Sequence, residues 1–278
     1  MEFRKAMRKF KTNPLNIISL IVLIIIVILS LFPAFFSPYN PLEMDFEYMM
    51  SPPNQQHWFG TDQFGRDVLS RIIFGVQKSM IIASMAVVLA SLLGTSLGLV
   101  AGYFGKIVDM IIMRIVDAMF AFPSVILALF IIALFGASIT NLIIAIGIVY
   151  TPIFARIMRG STISIKEQLY VKAGKALGKS NLRSILIDVL PNIFSILIVT
   201  FTTNFSTALL SEATLGFLGL GVPPPEPTLG GMVGQGSDYL LSAPWVTLFP
   251  GLIIAVIVLS LNIIGDGLRD TLDPRTTS

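Results

Sequence analysis

The sequence predicts an all-α polytopic membrane protein with six transmembrane helices. Of its 278 residues, 54% are hydrophobic and 13% are charged, and the mean hydropathy is +0.83. Charged residues form about 25% of ordinary soluble domains, so a soluble fold of this length would lack the polar residues that its surface requires. A lipid bilayer is therefore the solvent that fits this composition.

Six stretches are long and apolar enough to cross a membrane, which takes about 20 predominantly apolar residues. They are 15–36, 79–102, 112–135, 139–157, 192–213 and 246–266. Residues 136–140 alone separate the third from the fourth, which predicts a tight helical hairpin, and Pro123 and Pro152 predict bends in these two spans. The first stretch is too long for a signal peptide and lacks a small-residue cleavage site, so we expect a retained anchor helix.

The basic residues predict the orientation of the chain, because cytoplasmic loops of membrane proteins carry an excess of Lys and Arg. With the N-terminus in the cytoplasm, all of the 19 Lys and Arg residues except Arg66, Arg71 and Lys78 fall on the cytoplasmic side. We therefore expect both termini in the cytoplasm. The chain then divides into a basic tail (1–14), a first span (15–36), an extracytoplasmic segment (37–78), a five-helix core (79–266) with a cytoplasmic loop at 158–191, and a cytoplasmic tail (267–278).

No catalytic, metal or cofactor site is expected within the chain. It has no cysteine and one histidine, His57, which rules out thiolate and histidine-rich metal sites; His57 is expected to hydrogen-bond in an outer loop. The net charge of +3 follows the loop orientation and indicates no nucleic-acid partner. We expect Asp117 to form a local ion pair with Arg114, and we expect the Glu212 carboxylate to lie at the membrane interface. Without a midplane carboxylate, a proton-coupled secondary transporter is disfavoured.

A stripe of small residues marks the packing face of the second span. Ala90, Gly94, Gly98 and Gly102 recur every four residues on one side of the helix. Small residues allow helix backbones to approach closely in lipid, where no hydrophobic force drives association. The stripe predicts a close helix contact, either within this chain or with a second subunit.

The longest inner loop is patterned as helix. Its apolar residues recur at helical spacing; they are Leu182, Ile185, Leu186, Val189 and Leu190. Its basic residues would form one stripe if the whole segment were helical; they are Lys172, Lys175, Lys179 and Arg183. Gly178 is a candidate turn between the two halves. From these residues alone, a basic helix on anionic lipids and a protein-docking helix are both open.

Residues 173–180, AGKALGKS, differ by one substitution from the phosphate-binding loop G-x-x-x-x-G-K-[ST]. Such a loop follows a buried strand and opens a helix that packs on a sheet. The sequence predicts neither strand nor sheet here, so we expect no ATP binding by this chain.

The segment 170–192, YVKAGKALGKSNLRSILIDVLPN, resembles the cytoplasmic coupling motif of ABC-importer permeases. The positions aligned with the motif are Lys172, Ala173, Gly174, Gly178, Leu190 and Pro191. Lys172, Gly174 and Asp188 depart from the Glu, Ala and Ile of the motif. Three further stretches, 57–75, 211–232 and 261–275, look like the second permease of dipeptide, oligopeptide and nickel importers.

This resemblance implies a type I ABC-importer permease fold in the bacterial inner membrane. It implies a translocation pathway for peptides formed with a homologous permease, with nickel, metallophore or glutathione-like solutes as alternatives. It also implies two cytoplasmic ATPases that bind ATP and magnesium, and an extracytoplasmic solute-binding protein. The acidic outer segment, with Glu43, Asp45 and Glu47 and no basic residue before Arg66, fits either simple compliance with topology or docking of that binding protein.

Overall fold

The computed structural model describes residues 13–272, so most of the two predicted tails (1–14 and 267–278) lies outside the described residues. The described chain is helical, with an isolated bridge between Thr61 and Asp67. The helices are α1 (Pro14–Leu31), α2 (Pro33–Phe36), α3 (Val68–Phe104), α4 (Lys106–Phe120), α5 (Ser124–Phe135), α6 (Ile139–Lys166), α7 (Leu169–Ala176), α8 (Asn181–Ser184), α9 (Leu190–Phe217), α10 (Leu229–Ser237) and α11 (Trp245–Leu272). A 3-10 turn (Phe46–Tyr48) precedes α3, and a π turn (Ile185–Val189) joins α8 to α9.

The fold class agrees with the sequence prediction. Within residues 13–272, five helices or joined helices are long and apolar enough to span a membrane, and the pair α4–α5 makes a sixth candidate. The bend predicted at Pro123 is thus present within 112–135, but it is a break of 91° between two helices and not a kink within one helix. Pro123 explains the break, because it lacks a donor for the helix ladder and disfavours helical geometry in the residue before it.

Several helices are longer than the apolar runs from which the sequence predicts them. Helix α3 begins eleven residues before the predicted start at 79, because the side chain of Asp67 caps its first turn by accepting from the backbone N–H of Ser70 at 2.8 Å. Helix α6 continues past 157 to Lys166. Hydropathy marks the part of a helix that suits lipid, whereas caps determine where the helix ends.

The small-residue stripe of α3 packs against α6. Of the two predicted alternatives, the contact within this chain is therefore the one observed. A Cβ added to Gly98 would lie 2.6 Å from the carbonyl oxygen of Ala155, and one added to Gly102 would lie 2.8 Å from that of Arg159. Gly94 meets Phe154 and the Thr151 carbonyl in the same way. The two backbones therefore approach as closely as glycine alone allows.

Two acidic residues lie elsewhere than predicted. Asp117 pairs with Arg156 of α6 at 2.7 Å between Oδ1 and Nη2, and not with Arg114, because the bend after α4 turns this carboxylate toward α6. Glu212 is fully buried within the bundle, beside the hydroxyls of Ser79 and Thr228. The expected interfacial position of Glu212 is thus wrong, since α10 folds back over this end of α9 and covers it.

Prediction for the α3–α6 contact: Gly98→Ala destabilises the protein by about 1–3 kcal/mol, because its Cβ forces two backbones apart. The matched control is Gly160→Ala on α6, where an added Cβ meets nothing within 4 Å and alanine favours helix by about 1 kcal/mol. Thermal unfolding in detergent measures both. Equal melting temperatures for the two variants would contradict the close contact.

Candidate coupling loop and outer segment

The loop between α6 and α9, here called the connecting loop (167–189), is anchored on one small hydrophobic cluster. Its members come from four elements and are Leu99, Tyr103, Met158, Ile185, Val189 and Ile193. Met158, Val189 and Ile193 are fully buried. Helices α3, α6 and α9 therefore hold the base of the connecting loop together, and the loop cannot move independently of them.

Helix α7 forms the protruding part of the connecting loop. Val171 is its buried residue, and the helix ends at Leu177, after which Gly178 adopts a φ of +86°. This left-handed conformation is available to glycine at little cost. The turn predicted at Gly178 is present, and it reverses the chain so that α8 returns toward the base.

Polar contacts hold the chain that follows the Gly178 turn in place. The ammonium of Lys179 donates to both carboxylate oxygens of Asp188 at 2.6 and 2.7 Å. The hydroxyl of Tyr103 donates to the side chain of Asn181 at 3.3 Å, and the ammonium of Lys175 lies 5.7 Å from the centre of the Tyr103 ring. The predicted single basic stripe is wrong, because the helix is interrupted at Gly178 and the Lys179 ammonium binds Asp188.

The Lys that replaces the Glu of the coupling motif has a local partner. The Lys172 ammonium lies 2.7 Å from a carboxylate oxygen of Glu167. This hydrogen bond holds the pKa of the Glu167 carboxyl below its usual value. The charge change at Lys172 is thus accompanied by an acidic residue five positions earlier, so both signs of charge lie at the start of the connecting loop.

The outer face of the connecting loop is apolar at its most exposed points. Leu177 is 90% exposed and Leu169 is 84% exposed, next to the half-exposed Tyr170. These two exposed leucines make the connecting loop a candidate interaction surface. The sequence analysis did not single out Leu169 or Leu177; the signal available was their position beside the basic residues and the glycine turn, outside any apolar run.

The candidate coupling residues fall into two places. Lys172, Ala173 and Gly174 lie on α7 and Gly178 at its end, so these four share the protruding part. Leu190 and Pro191 instead form the first residues of α9, where the π turn joins them to α8. Of the apolar residues predicted to form one buried face, Ile185 and Val189 are buried, whereas Leu182 and Leu186 are exposed. The reason is the π turn, which rotates successive residues by less than an α-helix does.

At the other end of α3, the segment 37–67 folds over the helix start around a buried charge cluster. The Asp62 carboxylate lies 2.7 Å from Nε of Arg66 and 3.3 Å from Nε of Arg71. Arg71 also donates to the carbonyl oxygen of Pro41 at 3.0 Å. These are two of the three basic residues outside the predicted cytoplasmic side, and both are buried; the third, Lys78, pairs with Glu226 at 2.6 Å.

A second polar contact fastens the same segment. His57 lies 3.0 Å from Asp67 through Nδ1, as expected of a hydrogen-bonded outer-loop histidine. Asp67 uses its other oxygen to cap α3, and the indole N–H of Trp245 donates to the Thr61 carbonyl at 3.0 Å. The segment is thus attached to the first residues of both α3 and α11.

This combination of a multi-pass helical bundle, an anchored protruding loop and a structured outer segment defines a membrane permease. Residues 94–278 match the family model described as binding-protein-dependent transport system inner membrane component, and residues 2–53 match the N-terminal TM domain of oligopeptide transport permease C. The chain belongs to this family of binding-protein-dependent inner-membrane components and is the permease subunit of an ABC importer. ATP hydrolysis in this class is carried by separate subunits.

Permeases of named transport systems are similar to nearly the whole chain. The dipeptide transport system permease protein DppC of Alkalihalophilus pseudofirmus is 44% identical over 99% of this chain and 91% of that protein. The glutathione transport system permease protein GsiD of Escherichia coli is 38% identical over 96% and 89%. A solved structure of the inward-facing methionine ABC transporter MetNI superposes with a TM-score of 0.59 at 19% identity, over 73% of this chain and 96% of that one, which shows the shared fold.

Prediction for the outer segment: Asp62→Ala lowers stability by about 3–5 kcal/mol, because two buried guanidinium groups lose their shared carboxylate. Thermal unfolding in detergent provides the measurement. Glu43→Ala is the control, since this carboxylate is exposed on the same segment and its removal leaves no buried charge. Equal melting temperatures for Asp62→Ala and Glu43→Ala would show that the buried cluster does not stabilise the segment.

Proposed function

We propose that this chain forms, with a second homologous permease, the membrane pathway of a peptide importer. Two cytoplasmic ATPases that bind ATP and magnesium drive it, and an extracytoplasmic binding protein delivers the solute. The observation that carries the proposal is the connecting loop, which is rigid, protrudes and ends in exposed leucines. Such a loop suits the transfer of motion from a soluble partner to membrane helices, whereas a lipid-bound helix would need no buried base.

The coupling step is assigned to the residues that protrude. Lys172, Ala173, Gly174 and Gly178 lie in a groove of one ATPase, and closure of the ATPases moves α7. Leu190 and Pro191 begin α9, so motion of the base passes directly into that helix. In this assignment the loop at 158–191 and both termini are cytoplasmic.

The peptide substrate rests on the relatives. DppC and a peptide transport system permease protein of Brucella suis, 45% identical over 81% of this chain, are named for peptide transport. GsiD is named for glutathione, itself a small peptide, which makes glutathione-like solutes the second candidate; nickel and metallophores are further alternatives. Uptake of labelled dipeptides and oligopeptides by cells with and without the intact chain tests the substrate, with glutathione and nickel as competitors. Uptake that is unchanged without the chain excludes a role in peptide import.

The outer segment is assigned to the binding protein. Its fold is rigid around Asp62, and it presents exposed carboxylates, among them Glu43, Asp45 and Glu47. A fixed acidic surface offers a partner a defined docking geometry and steers an oppositely charged one. The five-helix core at 79–266 then carries the pathway, while the segment at 37–78 receives the solute-loaded partner.

Prediction for the glycine turn: Gly178→Val abolishes uptake and weakens ATPase association while the protein still inserts. A β-branched residue at positive φ adds about 1–3 kcal/mol of strain and reshapes the protruding tip. Gly136→Val is the matched control, because Gly136 has a φ of +84° and, like Gly178, no atom within 4 Å of an added Cβ, but it lies in the α5–α6 hairpin. Normal uptake by Gly178→Val would argue against the coupling role.

Prediction for the exposed tip: Leu177→Glu weakens co-purification of the ATPases by about tenfold or more. Burying a leucine contributes about 1.5–3 kcal/mol, and about 1.4 kcal/mol corresponds to a factor of ten. Its melting temperature in isolation stays unchanged, since the side chain is exposed. Leu241→Glu is the control, being fully exposed outside the connecting loop. Equal ATPase recovery from both variants counts against a docking role for Leu177.

A further inference from the structure

The break between α4 and α5 lies within the thickness of a bilayer. Helix α5 has 12 residues, so it extends about 18 Å from the α5–α6 hairpin, whereas the hydrocarbon core is about 30 Å thick. Its hairpin partner α6 has 28 residues and is about 42 Å long, enough to cross completely. The chain at 121–123 therefore turns by 91° before α5 has reached the far side of the membrane.

This break exposes polar backbone. Ala121, Phe122 and Pro123 are all exposed, and no side chain caps the start of α5. The first N–H groups of a helix have no partner inside that helix. Non-helical backbone at membrane depth is stable only where it is buried in protein or lines a water-filled cavity. This chain does not bury the break, so water or another subunit, and not lipid, must surround it.

A half-exposed ion pair lies beside the break, toward the cytoplasmic end of the predicted fourth span. Asp117 and Arg156 are paired, yet their side chains are 58% and 53% exposed. Arg156 follows the start of α6 by 17 residues, or about 26 Å along the helix, and its guanidinium lies 4.1 Å from the centre of the Phe120 ring beside the break. Charged side chains within membrane helices face a bundle interior or an aqueous cavity. Two independent features, bare backbone and half-exposed charges, thus share one surface.

We propose that the break at 121–123 and the Asp117–Arg156 ion pair line the water-filled path through which the solute moves. The proposal rests on the proposed function, in that the path is that of the importer. It assigns the exposed side of the α4–α5 junction to water and solute. The apolar surface of α1, of which 17% of residues are buried within the chain, is assigned to lipid.

Cysteine accessibility tests this assignment directly, because the natural chain contains no cysteine. Ala121→Cys is introduced into the full chain in its host cells, and open membrane fragments are treated with a charged, membrane-impermeant thiosulfonate. Thiosulfonates react with the thiolate, which forms in contact with water. We expect Ala121→Cys to react at a rate near that of Gln55→Cys, an exposed residue of the outer segment.

The matched control is Ile24→Cys, at the centre of α1 and half exposed in the chain; it should react at least about tenfold more slowly, because a thiol in lipid does not ionise. Peptide uptake is measured before and after labelling. We expect the charged adduct at position 121 to block uptake. Labelling of Ala121→Cys as slow as that of Ile24→Cys, or uptake that persists after complete labelling, overturns the proposal. If cells take up peptide before labelling, either of these two results overturns only the proposed position of the path, and the importer function stands. If cells with the natural, cysteine-free chain take up no peptide, the proposed importer function itself is contradicted.

Discussion

The backbone contact between α3 and α6 is the constraint on which the remaining architecture depends. In lipid no hydrophobic force draws helices together, so close approach and van der Waals contact provide the association. Gly94, Gly98 and Gly102 remove every side-chain atom from one face of α3 and allow α6 to lie against its backbone. Among the described membrane-spanning helices, α3 and α6 have the largest shares of residues buried inside the protein. The other helices pack around a core that these two create.

The same pair connects the two ends of the molecule. Helix α3 has 37 residues and is about 55 Å long. Its first turn carries Asp67, Ser70 and Arg71, which hold the outer segment, and its last turns carry Leu99 and Tyr103, which hold the connecting loop. A displacement of the loop base therefore acts on a continuous helix whose far end holds the outer segment. A rigid rod with structured elements at both ends is what alternating access driven from one side requires.

The sequence predicts the fold well because its strongest signals are local. Apolar runs identify the spans, and the four-residue glycine spacing identifies the packing face. The turn at Gly178 is likewise visible from glycine beside a helical pattern. What could not be predicted depends on distant partners. Asp62 with Arg71, and Lys179 with Asp188, pair only once the chain has folded, and no periodicity reports such pairs. The exposure of Leu177 is also invisible, because a leucine in sequence is equally compatible with a core.

The departures from sequence rules share one physical reason. Arg66 and Arg71 depart from the predicted charge bias of the loops, yet both are buried and pair with Asp62 inside a structured segment, so neither behaves as a free topological charge. The 91° break exceeds the bend expected at Pro123, and its polar backbone must likewise be kept from hydrocarbon. In the first case the chain supplies the polar partner itself. At the break it supplies none, and the half-exposed pair of Asp117 and Arg156 beside it indicates that water is the partner there. The break is therefore the place where we expect this permease subunit to meet the water-filled path.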